Sequence, residues 1–468
     1  MPQSDEIISL YEAQEKVYSR SISGPLTKWR WIMVWLTQLF FYGMPWIQWG
    51  ERQALLFNLE SQQFFIYGFV FYPQDLIYLT LLLIIAALSL FLFTAVAGRL
   101  WCGYTCPQTV YTEIFMWVET KIEGDRAARM KLDSAPMSAK KFKKKFGKQF
   151  VWVAIALWTG FTFVGYFTPI RELAVDAWNF SVSGWNVFWI LFYALATYGN
   201  AGFLREQVCK YMCPYARFQS VMFDDDTMTV TYDEARGEPR GKRSRKTALV
   251  ESKSLGSCID CTFCVQVCPT GIDIREGLQI ECIGCGACVD ACDSVMDKID
   301  YPRGLIKYST VNAIAGGWST KQMLTRIMRP RVLIYTAVLW LLIAGVGASL
   351  YYRDDFRVNI ARDRGMGRLD GSMIKNVYRL QIMNATEVPQ NYQIGATGLE
   401  DIVIEMKSGQ VSRNQSVSVN PAEMKSFAVG LKVPDGAVEP GSHKIFFVVK
   451  MLNSDDEVTE KSTFLVPR

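Results

Sequence analysis

Apolar residues in this chain gather into five blocks, each close to the ~20 residues a helix needs to cross a bilayer. The blocks run about 29–49, 75–98, 150–168, 185–203 and 332–351. The second and fifth are the clearest. The first holds Gln38, Gly43, Pro45 and Gln48, which leaves a kink or a re-entrant path open there. A further apolar stretch, 64–72, is too short to span and is expected at the membrane interface. From Lys375 the period switches to alternation. Runs at 377–382, 402–406, 417–419, 427–431 and 445–449 are separated by Asn, Gly, Pro and Asp. About seven strands in roughly ninety residues read as an immunoglobulin-like sandwich.

Charge orients the blocks. Lys140, Lys141, Lys143, Lys144, Lys145 and Lys148 precede the third block and read as a solvated or lipid-contacting loop. Arg240, Lys242, Arg243, Arg245 and Lys246 follow the fourth, and Arg326, Arg329 and Arg331 precede the fifth. Loops 50–74 and 169–184 carry only Arg52 and Arg171. Basic loops stay in the cytoplasm. The N-terminus and every cysteine are therefore expected inside, and the C-terminal region outside. Segment 1–23 has no apolar core of signal-peptide type.

The 468 residues suffice for two or three domains, and 50% of them are hydrophobic. The net charge of +5 is too small and diffuse for nucleic-acid binding. The one histidine, His443, opens a sandwich strand and reads as structural or surface. A bis-histidine haem is excluded, so metal chemistry must use thiolates.

Twelve cysteines supply them, in four blocks with none left over. Cys258, Cys261, Cys264 and Cys268 precede Pro269, and Cys282, Cys285, Cys288 and Cys292 repeat the spacing. Two such runs in tandem are a two-cluster ferredoxin pattern, in which the fourth cysteine of each run ligates the other cluster. Cluster one would take Cys258, Cys261, Cys264 and Cys292. Cluster two would take Cys268, Cys282, Cys285 and Cys288. Residues 269–274 are expected to form a turn and short strand, and Asp293 stands where the second run lacks its proline.

The remaining cysteines form two C-x-x-x-C-P pairs, Cys102/Cys106 with Pro107 and Cys209/Cys213 with Pro214. Each follows a spanning block, each has Tyr two residues before its second Cys (Tyr104, Tyr211), and each precedes a helix-like stretch. This is an internal repeat. The prolines suit a first helical turn, which places Cys106 and Cys213 at helix N-termini, where the dipole lowers a thiol pKa. Packed together, the four thiols are candidate catalytic and metal-binding residues beside the relay. Three uses are open: a third cluster, a soft-metal site that reduces copper with Met116 or Met212 as thioether ligands, or a dithiol/disulfide couple. No G-x-G-x-x-G follows a strand, so the electron donor is external, cytoplasmic or a quinol. The cluster 169–172, Pro-Ile-Arg-Glu, is a candidate quinol contact.

In its order of parts the whole chain resembles the cytochrome c oxidase accessory protein family (CcoG, FixG or RdxA). That resemblance implies a bacterial inner-membrane protein serving assembly of the cbb3-type oxidase. It implies cupric reductase activity, with Cu(I) passed to copper chaperones or oxidase assembly factors. The expected fold is an α-helical membrane protein of about five transmembrane helices, with an inserted α+β two-cluster ferredoxin domain and a C-terminal all-β immunoglobulin-like sandwich. Its expected divisions are a cytoplasmic segment 1–28, a membrane domain 29–223, a ferredoxin domain 224–331, a last helix 332–351 and a periplasmic sandwich 352–468. A quinol-linked ferredoxin subunit and a non-catalytic assembly scaffold are the alternatives, and a homodimer is left open.

Overall fold

The computed structural model describes residues 16–242, 255–363, 368–370, 372–406, 411–412, 414–454 and 456–467. Part of the polar N-terminus (1–15), and Arg243, Arg245 and Lys246 of the charge pattern, lie outside the described residues. The chain divides into two compact units, Met1–Trp46 with Thr80–Ile343, and Ile47–Leu79 with Ala344–Arg468. Residues 47–79, between the first two apolar blocks, thus belong with the C-terminal strands.

The helices are α1 (Pro25–Gly43), α2 (Leu76–Ala97), α3 (Leu100–Tyr104), α4 (Pro107–Ile122), α5 (Arg126–Ser134), α6 (Ala139–Val164), α7 (Ile170–Trp178), α8 (Gly184–Gly199), α9 (Pro214–Met222), α10 (Glu234–Gly237), α11 (Phe263–Val267), α12 (Ala287–Lys298), α13 (Val311–Ala315), α14 (Thr320–Thr325) and α15 (Pro330–Tyr351). Among the described residues three helical segments are long and apolar enough to cross a membrane: Pro73–Ala97, Gly184–Leu204 and Pro330–Tyr351.

The first and third apolar blocks also fold as helices, with altered bounds. α1 stops at Gly43 rather than 49. A 3-10 turn, Met44–Trp46, contains Pro45, and Gln48–Trp49 then pairs with Arg52–Gln53. A proline amide cannot continue the helical ladder. α6 begins at Ala139, so the lysine run is not a loop but the first turns of that helix, capped by Ser138. Both helices expose large apolar side chains. α1 buries Arg30, Val34 and Gln38 while exposing Trp35, Leu36, Leu39 and Phe40. α6 buries Trp152, Ala156, Thr159, Thr162 and Val164 while exposing Phe150, Leu157 and Trp158. Apolar side chains turned outward fit lipid as the outer solvent. α6 and α8 approach so closely that a Cβ on Gly160 would fall 2.3 Å from the Ile190 carbonyl.

The ferredoxin segment is built on Thr229–Tyr232 paired antiparallel with Ile306–Ser309, with α11 and α12 against them. α11 ends at Val267, just before Cys268-Pro269. α12 meets no proline and runs through Cys292 and Asp293 to Lys298. The expected short strand before the second run is instead a 3-10 turn, Ile274–Glu276, held by Asp273 accepting from the Arg275 amide.

In the second unit, one sheet runs in the order Val411–Ser412, Val403–Met406, Met424–Pro434, Met373–Asn384, Phe356–Arg362, with Arg368–Asp370 also on Met373–Asn384. The facing sheet runs Asn414–Val419, Gln390–Thr397, Gly441–Met451, Glu457–Val466. The count exceeds the seven strands expected, because Phe356–Arg362 and Arg368–Asp370 precede Lys375, where the expected alternation begins. Alternate residues Tyr378, Leu380 and Ile382 face inward against Tyr392, Ile394, Phe447 and Val449, all fully buried. His443 sits within a strand and pairs through Nε2 with the Glu439 carbonyl at 2.7 Å.

Stretch 64–72 forms two strands, Gln63–Ile66 and Phe69–Phe71, in a sheet with Leu55–Asn58. Leu56, Phe65, Val70 and Tyr72 bury against Met383 of the sandwich. Buried Asp75, just before α2, accepts from Arg353 at 2.7 Å and pairs with Arg357 at 3.1 Å.

Candidate functional site

The ferredoxin cysteines line two small, apolar cavities. Cys258, Cys261, Cys264 and Cys292 border one, with Met296 and Leu305. Cys268, Cys282, Cys285 and Cys288 border the other, with Ile272 and Ile274, and Cys264 reaches its edge. The chain path explains the crossover. Cys288 and Cys292 are one turn apart on α12, roughly 6 Å along its axis, so each meets a different cavity. Each quartet is all sulfur. Among the described residues no three His, Cys, Asp or Glu side chains stand close enough to share one metal ion. Two quartets of thiols alone fit [4Fe–4S] clusters, which supply one-electron storage when bound. Burial pushes the Cys264 thiol up to about 11, and those of Cys282 and Cys292 up to about 12. Ligation must therefore release protons.

The two C-x-x-x-C-P pairs are built alike. Cys102 lies in the single turn of α3, and Cys106 is the N-cap of α4 with Pro107 in its first turn. Cys209 lies in a π-helical turn, Val208–Met212, and Cys213 caps α9 with Pro214 in its first turn. The four thiols are close enough to act electrostatically on one another. Burial decides their acidity and overturns the expected lowering at Cys106. Its thiol is pushed up although the amides of Thr109 and Gln108 pull it down. Burial likewise takes Cys102 up to about 11 and Cys209 up to about 12. Met212 is 59% exposed, so its thioether is turned away from the buried thiols. Met116 borders a cavity with Cys209, Glu113 and Glu206.

This thiol site sits against the second ferredoxin quartet. Cys102 and Cys209 pack in one cluster with Ile283, Cys285, Ala287 and Cys288. Gly103 makes that approach possible: a Cβ there would fall 2.8 Å from Cys285 Cα and 2.9 Å from its amide nitrogen. The repeat is asymmetric at this point, because Lys210 occupies the matching position.

Several supporting residues carry no motif. Arg99 donates to the Ala216 carbonyl at 2.7 Å and the Cys282 carbonyl at 3.3 Å, tying α9 to the second run. Asp290, between Cys288 and Cys292, accepts from the amides of Leu26 and Thr27 and so caps α1. Buried Glu119 of α4 accepts from Arg205 at 2.8 Å and Arg129 at 2.9 Å, with Lys148 at 3.5 Å. Lys145 and Lys148 both pair with Glu123. These two lysines of the run thus tie α6 to α4. Gln219 is fully buried and accepts from the Cys102 thiol at 3.4 Å. Pro169–Glu172 opens α7, with Arg171 and Glu172 exposed.

A domain with two thiolate quartets, joined to apolar helices and a second thiol site, defines a membrane-associated iron–sulfur electron carrier. Known proteins agree. Residues 204–311 match a family model described as a 4Fe-4S dicluster domain, and 79–124 one described as a 4Fe-4S binding domain. Residues 346–467 match the IG-like fold at the C-terminal of FixG. The chain is 33% identical to nitrogen fixation protein FixG of Rhizobium meliloti, over 98% of this chain and 94% of that one. It is 40% identical to protein RdxB of Cereibacter sphaeroides over 85% of each. A crystal structure of a FixG-related protein from Vibrio parahaemolyticus aligns with 24% of this chain and 97% of its own, at 20% identity and a TM-score of 0.21. The chain belongs to the FixG family.

Proposed function

We propose that this protein passes single electrons from two [4Fe–4S] clusters to Cu(II) at Cys102, Cys106, Cys209 and Cys213. The Cu(I) formed serves assembly of a cbb3-type cytochrome c oxidase. Cys258, Cys261, Cys264 and Cys292 hold one cluster, and Cys268, Cys282, Cys285 and Cys288 the other. One observation carries the proposal: Cys102 and Cys209, one thiol from each motif, pack in one cluster with Cys285 and Cys288 of the second quartet. Each turnover takes one electron from a reduced cluster and adds it to one Cu²⁺. Sulfur donors favour Cu(I) over Cu(II), so the site drives reduction as well as binding.

In this reading α1, α2, α6, α8 and α15 cross the membrane, with the clusters and thiols on the cytoplasmic side and the sandwich on the periplasmic side. The outward apolar side chains of α1 and α6 support this count, and the basic residues support the orientation. A third cluster at the motif thiols is the second reading, favoured by the 4Fe-4S model matched over Cys102 and Cys106. Iron content and EPR of anaerobically purified protein, with and without added copper, test both. The copper reading expects about eight iron per chain and copper bound through the four thiols, whereas about twelve iron would replace it with a third cluster. Serine at all four positions should abolish copper binding and leave the ferredoxin signals in place.

A further inference from the structure

A cavity of about 120 Å³ lies between residues 19–22, α1 and α4. Arg30, Trp31, Glu113 and Trp117 line one side of it, and Pro269 and Ala287 the other. Those last two adjoin Cys268 and Cys288 in the chain. We propose that this cavity binds a membrane quinol and is where electrons enter the protein. The proposal rests on the electron-transfer reading but not on copper as the acceptor.

Three observations carry it. Arg30 is 94% buried by its 6% exposure, and its Nε has no hydrogen-bond partner, so a desolvated donor waits at the cavity wall. Its guanidinium pairs with the Glu113 carboxylate, which puts a proton acceptor beside that donor. The rings of Trp31 and Trp117 meet edge-on at 6.2 Å, and Trp117 is half exposed next to the apolar outer face of α1. An aromatic-walled opening toward lipid suits a flat amphipathic ring. Chemistry narrows the ligand further. Thiolate-bound clusters accept electrons singly, and the chain has no nicotinamide or flavin motif to divide a hydride. A quinol can release its two electrons one at a time.

In the step, quinol loses both hydroxyl protons and two electrons and leaves as quinone. The electrons pass to two oxidised [4Fe–4S] clusters, entering by the Cys268–Cys288 side. Glu113 takes the first proton, which frees Arg30 to hold the ring oxygen. The second proton goes to water at the open end by Arg20 and Ser21.

The test uses full-length protein with clusters loaded, mixed anaerobically with decylubiquinol while cluster absorbance is followed. Wild type should bleach. Glu113→Gln, and Thr120→Trp to fill the cavity, should bleach about tenfold or more slowly. Both should keep wild-type iron content and dithionite bleaching, and Thr120→Trp should also keep reoxidation by Cu(II). Fluorescence titration with decylubiquinone should show weaker binding to Thr120→Trp, and Thr120→Leu serves if the larger residue lowers iron content. Wild type that quinol does not bleach, or variants that bleach and bind like wild type, would overturn the proposal. Failure of Cu(II) to reoxidise wild type would instead sink only the copper reading.

Discussion

Gly103 shows what a single residue does here. It lets the first C-x-x-x-C-P motif press on the backbone of Cys285. Gly103→Ala should force the two apart while leaving all twelve thiols in place. The expected outcome is unchanged iron content with about tenfold slower oxidation of the clusters by copper, measured by stopped-flow absorbance. Wild-type rates would contradict it. Glu119 acts through charge. Burial raises the pKa of its carboxyl, but Arg205, Lys148 and Arg129 together hold it below the usual range. A depressed folded pKa contributes stability above the unfolded value of ~4.3, and that contribution is lost as pH falls through the folded pKa. Glu119→Gln leaves buried cations unpaired, which typically costs about 3–5 kcal/mol. Thermal unfolding in detergent should show a large deficit at pH 7 that narrows in acid; an equal deficit at both would contradict the ion-pair account. All twelve cysteines were legible in the sequence because spacing marks them. Gly103 and Glu119 were not, because their partners lie far away in the chain.

At the scale of elements, the repeat was legible from the two C-x-x-x-C-P patterns, and the helices after each proline fold where expected. The π-helical turn around Cys209 was not, because it depends on how Asn200–Leu204 and Arg205 turn the chain rather than on composition. The same holds for α12, whose Asp290 caps a different helix. Removing a cap typically costs about 1–2 kcal/mol. Asp290→Ala should lower stability by about that much and reduce iron retention at the second quartet, seen as loss of one EPR signal. Retention of both signals and of stability would show that the cap is dispensable. The lysine run was misread as a loop because sequence alone does not show that Glu119 and Glu123 of α4 lie opposite Lys145 and Lys148 on α6.

Across the whole molecule, the clearest surprise is the segment 47–79. Its apolar run reads as an interfacial stretch in the sequence, and its strands and their burial with the sandwich show only in the structure. Leu56, Phe65 and Val70 lose their cover if the sandwich is removed. Truncation of 352–468 should therefore make 55–71 sensitive to limited proteolysis, whereas continued protection there would show that the hairpin stands alone. The most direct measurement of the central claim is a single turnover. Anaerobically reduced protein is mixed with one equivalent of Cu(II), and cluster absorbance and Cu(I) are followed together. Wild type should reoxidise its clusters as Cu(I) appears in equal amount. Protein with serine at Cys102, Cys106, Cys209 and Cys213 should keep its clusters reduced and form no Cu(I). Equal rates in the two would place copper reduction elsewhere.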